Sequence, residues 1–212
     1  MIRLYDYWRS SASYRVRIAL HLKGIDFESV QVDIAPGSDE QMGEVYRTMN
    51  PQMRVPSIEI DGRVFGQSMA IIEWIEETFS GPSLLPSDAT DRLEARAFAD
   101  TIACDIHPLN NLSVLKELRT RFGADGDAIK AWYHEWIERG FDALEKYAAQ
   151  ETSGAFLFGD GPTIAEIALV PQIYNARRYD MDLTAYPALL AVEKQCLELE
   201  AFQKARPSKP SA

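Results

Sequence analysis

Trp8-Arg9-Ser10-Ser11-Ala12-Ser13-Tyr14-Arg15-Val16-Arg17-Ile18-Ala19-Leu20 is the stretch whose reading decides the fold. It follows Ile2-Arg3-Leu4-Tyr5-Asp6-Tyr7, which reads as a strand, and runs into an apolar helix that ends near Lys23-Gly24. Ser10 or Ser11 suits the N-cap, where a hydroxyl satisfies an orphan N–H of the first turn. Gly24 suits the position just past the helix, where left-handed backbone costs glycine little. Hydroxyls, free N–H groups and the positive end of the helix dipole converge on one point. Such a point favours an anion: a phosphate, a carboxylate or a thiolate.

Working outward, Phe27-Glu28-Ser29-Val30-Gln31-Val32-Asp33 alternates apolar and polar like a strand. Strand, helix, strand in so short a space is a βαβ unit with parallel strands. Pro36-Gly37-Ser38 is a turn signal, and residues 39–48 read as a polar helix stopped by Asn50-Pro51. Asp61-Gly62 between two short apolar runs predicts a two-residue hairpin. Pro56 opens the first of those strands, where proline is tolerated and a cis bond is allowed. Gln67-Ser68 opens a further helix, with Ser68 read as its cap and Ile71, Ile72, Trp74 and Ile75 as its apolar face. The order is β-α-β-α-β-β-α, over residues 1–80.

Ser80-Gly81-Pro82-Ser83-Leu84-Leu85-Pro86-Ser87 reads as a linker, and residues 88–212 read as an all-helical second domain. A long helix or pair is expected over 88–122, kinked at Pro108, and another over 127–149. Thr163-Ile164-Ala165-Glu166 has the form of a capping box opening the next helix, which Pro171 should bend. One more helix is expected over 187–199, before a loose tail, Arg206-Pro207-Ser208-Lys209-Pro210.

The bulk numbers exclude several classes. With 32 acidic against 22 basic residues the formal charge is -10, which speaks against nucleic acid as a partner. Cys104 and Cys196 lie far apart and form no C-x-x-C, and three scattered histidines have no metal-ligand spacing. No metal is expected. The N-terminus lacks a signal-peptide core and no apolar run is long enough to span a bilayer, so the expectation is a cytoplasmic protein with no membrane partner.

The motif around Ser10 closely resembles the S-S-C-x-x-R-V-R-I-A-L signature of zeta-class glutathione transferases, the maleylacetoacetate and maleylpyruvate isomerases. The similarity continues in order through Asn50-Pro51, Val55-Pro56, Gln67-Ser68-Met69-Ala70-Ile71-Ile72-Glu73, Leu84-Leu85-Pro86, Pro108-Leu109-Asn110-Asn111, Val170-Pro171-Gln172 and Asp182-Leu183-Thr184-Ala185-Tyr186-Pro187. One departure stands out: Ala12 sits where the family's motif usually has cysteine. The resemblance implies a fold class of α/β plus all-α, with a thioredoxin-like N-terminal domain that binds glutathione and an all-helical domain that binds substrate. It also implies a homodimer.

The resemblance carries roles onto particular residues. Ser10 becomes the group that stabilises the glutathione thiolate, with Ser11 as second hydroxyl; an N-cap alone is the bland alternative. Val55 before Pro56 takes the cysteinyl main chain, Gln67 and Ser68 the γ-glutamyl carboxylate, and Gln41 the glycyl end. His107, with Asn111 four residues on and on the same helix face, is read either as a ligand contact or as satisfying carbonyls freed by Pro108. Arg9 and Arg178 suit a dicarboxylate substrate through bidentate pairing. Arg15, Arg17 and Arg177 read as structural ion-pair residues. His21 and His134 read as structural or surface residues, and Trp132, Tyr133 and Trp136 as core or interface.

The implied activity is glutathione-dependent cis–trans isomerisation of a maleyl keto acid, in which glutathione is a cofactor. Two rivals stand beside it: a transferase or dehalogenase that consumes glutathione on haloacids, and a non-catalytic binding module of the same fold.

Overall fold

The computed structural model describes residues 1–150 and 154–209. The chain divides into two units: Met1–Ser83 together with the segment from Leu199 onward, and Leu84–Glu198.

In the first unit, β1 (Ile2–Asp6), α1 (Ser11–Leu22) and β2 (Phe27–Gln31) form the expected βαβ, with β1 and β2 parallel and Ile2 opposite Phe27. Gly24 adopts φ 65, and the Ile25 N–H reaches Leu20 O while the Gly24 N–H reaches His21 O. That pair of bonds closes the helix in a Schellman motif, which only a residue tolerant of left-handed backbone permits. β3 (Ser57–Ile60) runs antiparallel to β1, and β4 (Arg63–Gly66) antiparallel to β3, giving the order β2-β1-β3-β4. Asp61 and Gly62 both have positive φ, so the hairpin turn is the type I′ form that matches strand twist. α3 (Ser68–Thr78) follows. Ten successive residues of α1, Ser11 to Leu20, are buried, because α1 packs against both α3 and α9 (Glu200–Ala205). Tyr5, Tyr7, Val32, Tyr46 and Val55 form a further core cluster.

Three expectations need correction here. The polar helix over 39–48 is instead a 3₁₀ turn, Glu40–Met42, followed by α2 (Glu44–Met49). Gly43, at φ -65 and ψ 151, is extended and interrupts the two, so the segment never forms one helix. Ser68 is not the cap of α3: Gln67 occupies that position at φ 73, and Ser68 is the first helical residue. Third, the chain does not stay in the second unit after residue 88. It returns at Leu199, because Arg17 Nε donates to Ala205 O at 2.9 Å and the α9 side chain Phe202 is fully buried. The tail beyond α9, residues 206–209, has no regular structure, and Pro210 lies outside the described residues.

The second unit is helical: α4 (Ala89–Asp100), α5 (Leu112–Phe122), α6 (Gly126–Ala148), α7 (Ile164–Arg178) and α8 (Pro187–Cys196). The stretch 88–122 is a pair of helices, not one helix kinked at Pro108. α4 passes into a π-helical segment, Thr101–Ile106, and Pro108 lies in the turn beyond it. α7 is the buried axis, with its residues from Ile164 to Ile173 all inside, and it runs unbroken through Pro171. The capping box is present: Thr163 Oγ1 accepts the Ala165 N–H, and Glu166 Oε2 accepts the Thr163 N–H at 2.7 Å. Glu166 is fully buried and Oε1 also takes the Leu157 N–H at 2.8 Å. Burial pushes its carboxyl above the usual carboxylate range, against the pull of those donors.

α6 approaches the π segment at Gly140, where a Cβ would lie 2.2 Å from Ile106 Cδ1. Gly140→Ala should therefore destabilise the second unit by about 1–3 kcal/mol, the cost of overpacking. Combining it with Ile106→Ala should return part of that loss, as read from denaturant unfolding midpoints.

Candidate functional site

In the first unit the chain leaves β1 at Asp6 and turns at residues 7–10, closed by the Ser10 N–H to Tyr7 O at 2.8 Å. Ser10 is the N-cap of α1, with φ -67 and ψ 122, and its Oγ accepts the Ser13 N–H at 3.2 Å. Accepting one bond leaves the hydroxyl proton to donate elsewhere. Ser10 is half-buried, whereas Ser11 is buried in the first turn. The structure thus separates the two serines that the sequence left as alternatives for the cap. Arg9 is half-buried against aromatic faces, 5.9 Å from the Tyr7 ring centre and 5.6 Å from that of Trp8.

α3 supplies a second helix start. Its first turn has no side-chain cap and no acidic residue; α1, capped by Ser10, also has no acidic residue in its first turn. Gln67 holds positive φ outside the left-handed helical region, a strained backbone that persists only when neighbours fix it. Gln67 Nε2 donates to Gln52 Oε1 at 3.0 Å, and Arg15, buried in α1, donates from Nη1 to Ser68 Oγ at 3.4 Å. Ser68 therefore joins the two helix starts through a side chain that the sequence assigned to bland pairing.

Between them lies the loop to β3. The Val55–Pro56 bond is cis, as the sequence allowed, and Val55 is buried. Tyr46 Oη donates to Arg54 O at 2.7 Å, and Asn50 Nδ2 donates to the same carbonyl at 2.8 Å. Burial raises the Tyr46 phenol, which keeps its proton for that bond. Gly66 lets this loop approach: a Cβ there would lie 3.3 Å from Gln52 Oε1. Gln52 and Asn50 were missed as positioning residues. Their only sequence signal was the Asn-Pro pair and a glycine at the end of a strand. Gln41 sits in the 3₁₀ turn rather than on a helix, with Nε2 on Asp39 Oδ1 at 3.4 Å and Oε1 buried without a partner among the described residues.

The second unit holds the remaining candidates. Arg178 is exposed in the last turn of α7, where Nη1 donates to Asn175 Oδ1 at 2.8 Å and the guanidinium lies 5.9 Å from the Tyr179 ring centre. Tyr179 in turn stacks on buried Tyr133 at 3.6 Å. His107 follows the π segment, and its N–H bonds Ile102 O at 2.9 Å. Asn111 caps α5, its Oδ1 accepting from Ser113 N at 3.1 Å and Ser113 Oγ at 3.0 Å. A turn separates the two, so the expected shared helix face of His107 and Asn111 does not exist. The bland readings of Arg17 and Arg177 match the geometry. Arg17 pairs with Asp6, and Arg177 forks onto Glu193 with Nη2–Oε2 at 2.6 Å.

An α/β unit with serine-bearing helix starts beside a cis-proline loop, followed by an all-helical unit, defines the glutathione transferase class. Family models agree: residues 4–83 match the glutathione S-transferase N-terminal domain and residues 130–193 its C-terminal domain. Maleylpyruvate isomerase of Ralstonia sp is 47% identical, covering 98% of this chain and 97% of that one. Maleylacetoacetate isomerase of Rhizobium meliloti is 45% identical, covering 97% and 96%. Among solved structures, a holo maleylpyruvate isomerase described as a bacterial zeta-class enzyme matches with TM-score 0.93 at 47% identity, over 97% of this chain and 96% of that one. Maleylacetoacetate isomerase of Methylobacterium extorquens with bound malonate and glutathione matches with TM-score 0.92 at 34% identity, over 97% and 96%. The chain belongs to the zeta-class glutathione transferase family, that of the maleylacetoacetate and maleylpyruvate isomerases.

The cap at Asn111 gives that residue a structural duty that a substitution can isolate. Asn111→Ala should cost about 1 kcal/mol of stability, and Asn111→Asp, which keeps a capping oxygen, should cost far less. Thermal unfolding of the two variants side by side checks this.

Proposed function

We propose that the protein is a glutathione-dependent cis–trans isomerase that converts a maleyl keto acid, maleylacetoacetate or maleylpyruvate, to its fumaryl isomer in aromatic or tyrosine catabolism. The observation that carries the reading is the start of α1, where the Ser10 hydroxyl accepts from Ser13 N and keeps its own proton to donate. It stands in a chain that relatives with isomerase names match from end to end.

Glutathione fits the donor set of the first unit. It carries a thiol and carboxylates, and α1 and α3 offer two helix starts with serines and without acidic residues. When bound, glutathione supplies a nucleophilic thiol that is recovered unchanged. The chain's own residues divide the remaining work. Ser10 donates a hydrogen bond from its hydroxyl to the sulfur and so favours the thiolate, helped by the α1 dipole, with Ser11 beside it in the same turn. Val55 offers main-chain donors and acceptors to the cysteinyl part. Gln67 and Ser68, with the first-turn N–H groups of α3, hold the γ-glutamyl carboxylate. Gln41 takes the glycyl end. On the second unit, His107 and Asn111 are assigned as ligand contacts.

Arg9 in the first unit and Arg178 in the second are each assigned to carboxylate recognition of a small dicarboxylate substrate, and a guanidinium also stabilises negative charge developing on a substrate's carbonyl oxygen. Ala12 offers neither a thiol nor a donor, so no protein nucleophile competes at that place. The same reading makes the protein a cytoplasmic homodimer, supported by family resemblance and by the sparse cysteines. Among the described residues no helix is long and apolar enough to cross a membrane.

Ser10→Ala should lower kcat by the loss of one positioned donor, ~2.7–4 kcal/mol, while glutathione affinity stays largely intact. Steady-state kinetics beside calorimetric titration with glutathione check it. The product assay must show the fumaryl isomer with all glutathione recovered; a thioether or a dehalogenated acid would mean the glutathione-consuming rival.

Arg178→Met should raise KM for the maleyl acid by an amount equivalent to ~1.5–3 kcal/mol, the worth of a charge-assisted pair. An esterified analogue should lose much less. Equal losses for acid and ester would show that Arg178 serves α7 and Tyr179, not the substrate.

A further inference from the structure

Arg17 lies seven residues after Ser10 on α1, and helical side chains lean toward the helix N-terminus. Its guanidinium reaches back and binds three places at once. Nη1 pairs with Asp6 at 2.6 and 2.8 Å, at the end of β1. Nη2 donates to Trp8 O at 3.1 Å, inside the turn between β1 and α1. Nε donates to Ala205 O at 2.9 Å, in α9. Asp6 is steadied from β2 by the Ser29 hydroxyl at 3.4 Å.

The turn of residues 7–10 therefore has two anchors. One is the local bond from Ser10 N to Tyr7 O. The other is the guanidinium, which fixes the Trp8 carbonyl relative to β1 and α9. A planar fork meets three acceptors in different directions; a lysine ammonium meets them only as a point charge on a flexible stem.

We propose that Arg17 is the positioning residue for Ser10: by clamping Asp6, Trp8 O and Ala205 O together it sets where the Ser10 hydroxyl points, and so how far the thiol of bound glutathione is ionised. This rests on the reading of Ser10 as the thiolate donor. It also gives the returning helix α9 a part in the chemistry, because the same guanidinium holds its carbonyl.

The test is a pH titration of the thiolate's ultraviolet absorbance in the binary complex with glutathione. It is run on the wild type, Arg17→Lys, Ser10→Ala and the double variant, with glutathione affinity measured in parallel. Arg17→Lys should raise the apparent pKa of the bound thiol by about one unit, a tenfold loss of thiolate below it. Affinity should hold, and kcat at neutral pH should fall about tenfold and recover as pH rises. In the Ser10→Ala background the Arg17 substitution should add nothing, since its effect travels through that hydroxyl. A wild-type pKa in Arg17→Lys, or additive shifts in the double variant, would overturn the proposal. A wild-type pKa in Ser10→Ala is a different failure: it removes Ser10 as thiolate donor and the positioning role with it. Asp6→Asn keeps the guanidinium and its carbonyl bonds, and should shift the pKa in the same direction by less. Where Arg17→Lys does not fold, the absence of a shift in Asp6→Asn overturns the proposal.

Discussion

The buried pair of Arg17 and Asp6 is the constraint on which the first unit depends. Both side chains are almost wholly removed from water, at 9% and 3% exposure. Such a pair is a poor source of net stability, because desolvation consumes most of the Coulombic gain. Breaking it is another matter: one partner left alone costs about 3–5 kcal/mol. The pair therefore acts as a lock on arrangement. Asp6 ends β1, Arg17 lies inside α1, and the guanidinium's remaining donors bind the β1–α1 turn and α9. One side chain thus ties the four pieces together.

Three helix starts show how the same chemistry is spent differently. At α7, Thr163 and Glu166 close on each other, and the buried carboxylate also takes Leu157 N. Nothing is left over, and the device serves only the fold of the second unit. At α1, the Ser10 oxygen satisfies one N–H and the first turn has no acidic side chain. At α3, no side chain caps the turn at all. A helix start left open, with a hydroxyl beside it, is a place for a ligand's negative charge. The closed box at α7 and the open first turns at α1 and α3 thus differ in how far side chains satisfy the helix start.

The π-helical segment Thr101–Ile106 shows packing overriding local preference. A π turn inserts an extra residue and is seldom favoured on its own. Here it abuts α6 at Gly140, where Ile106 occupies the space a side chain would need. It also sets His107 one bond pattern away from an ordinary helix, with its N–H on Ile102 O. The turn that follows frees Asn111 to cap α5.

By itself the sequence determined the elements whose signals are local. The βαβ start, the Asp61-Gly62 hairpin, the Gly24 stop and the Thr163 capping box all rest on contacts within a few residues, and the structure contains them. The motif around Ser10 likewise placed the chain in its family. Tertiary structure decided what depends on residues far apart. Arg17 looked like one basic residue among several, and its three acceptors lie at Asp6, Trp8 and Ala205, the last 188 positions away. Gln67 took the cap position from Ser68 because Gln52 and the Gly66 approach fix a backbone that no local preference would select. Pro108 lies in the turn beyond the π segment, whose Ile106 side chain fills the space beside Gly140 of α6. Local hydrogen bonds can be read from neighbours in sequence; the direction of a buried guanidinium is fixed only when the distant carbonyls it must satisfy are brought to it.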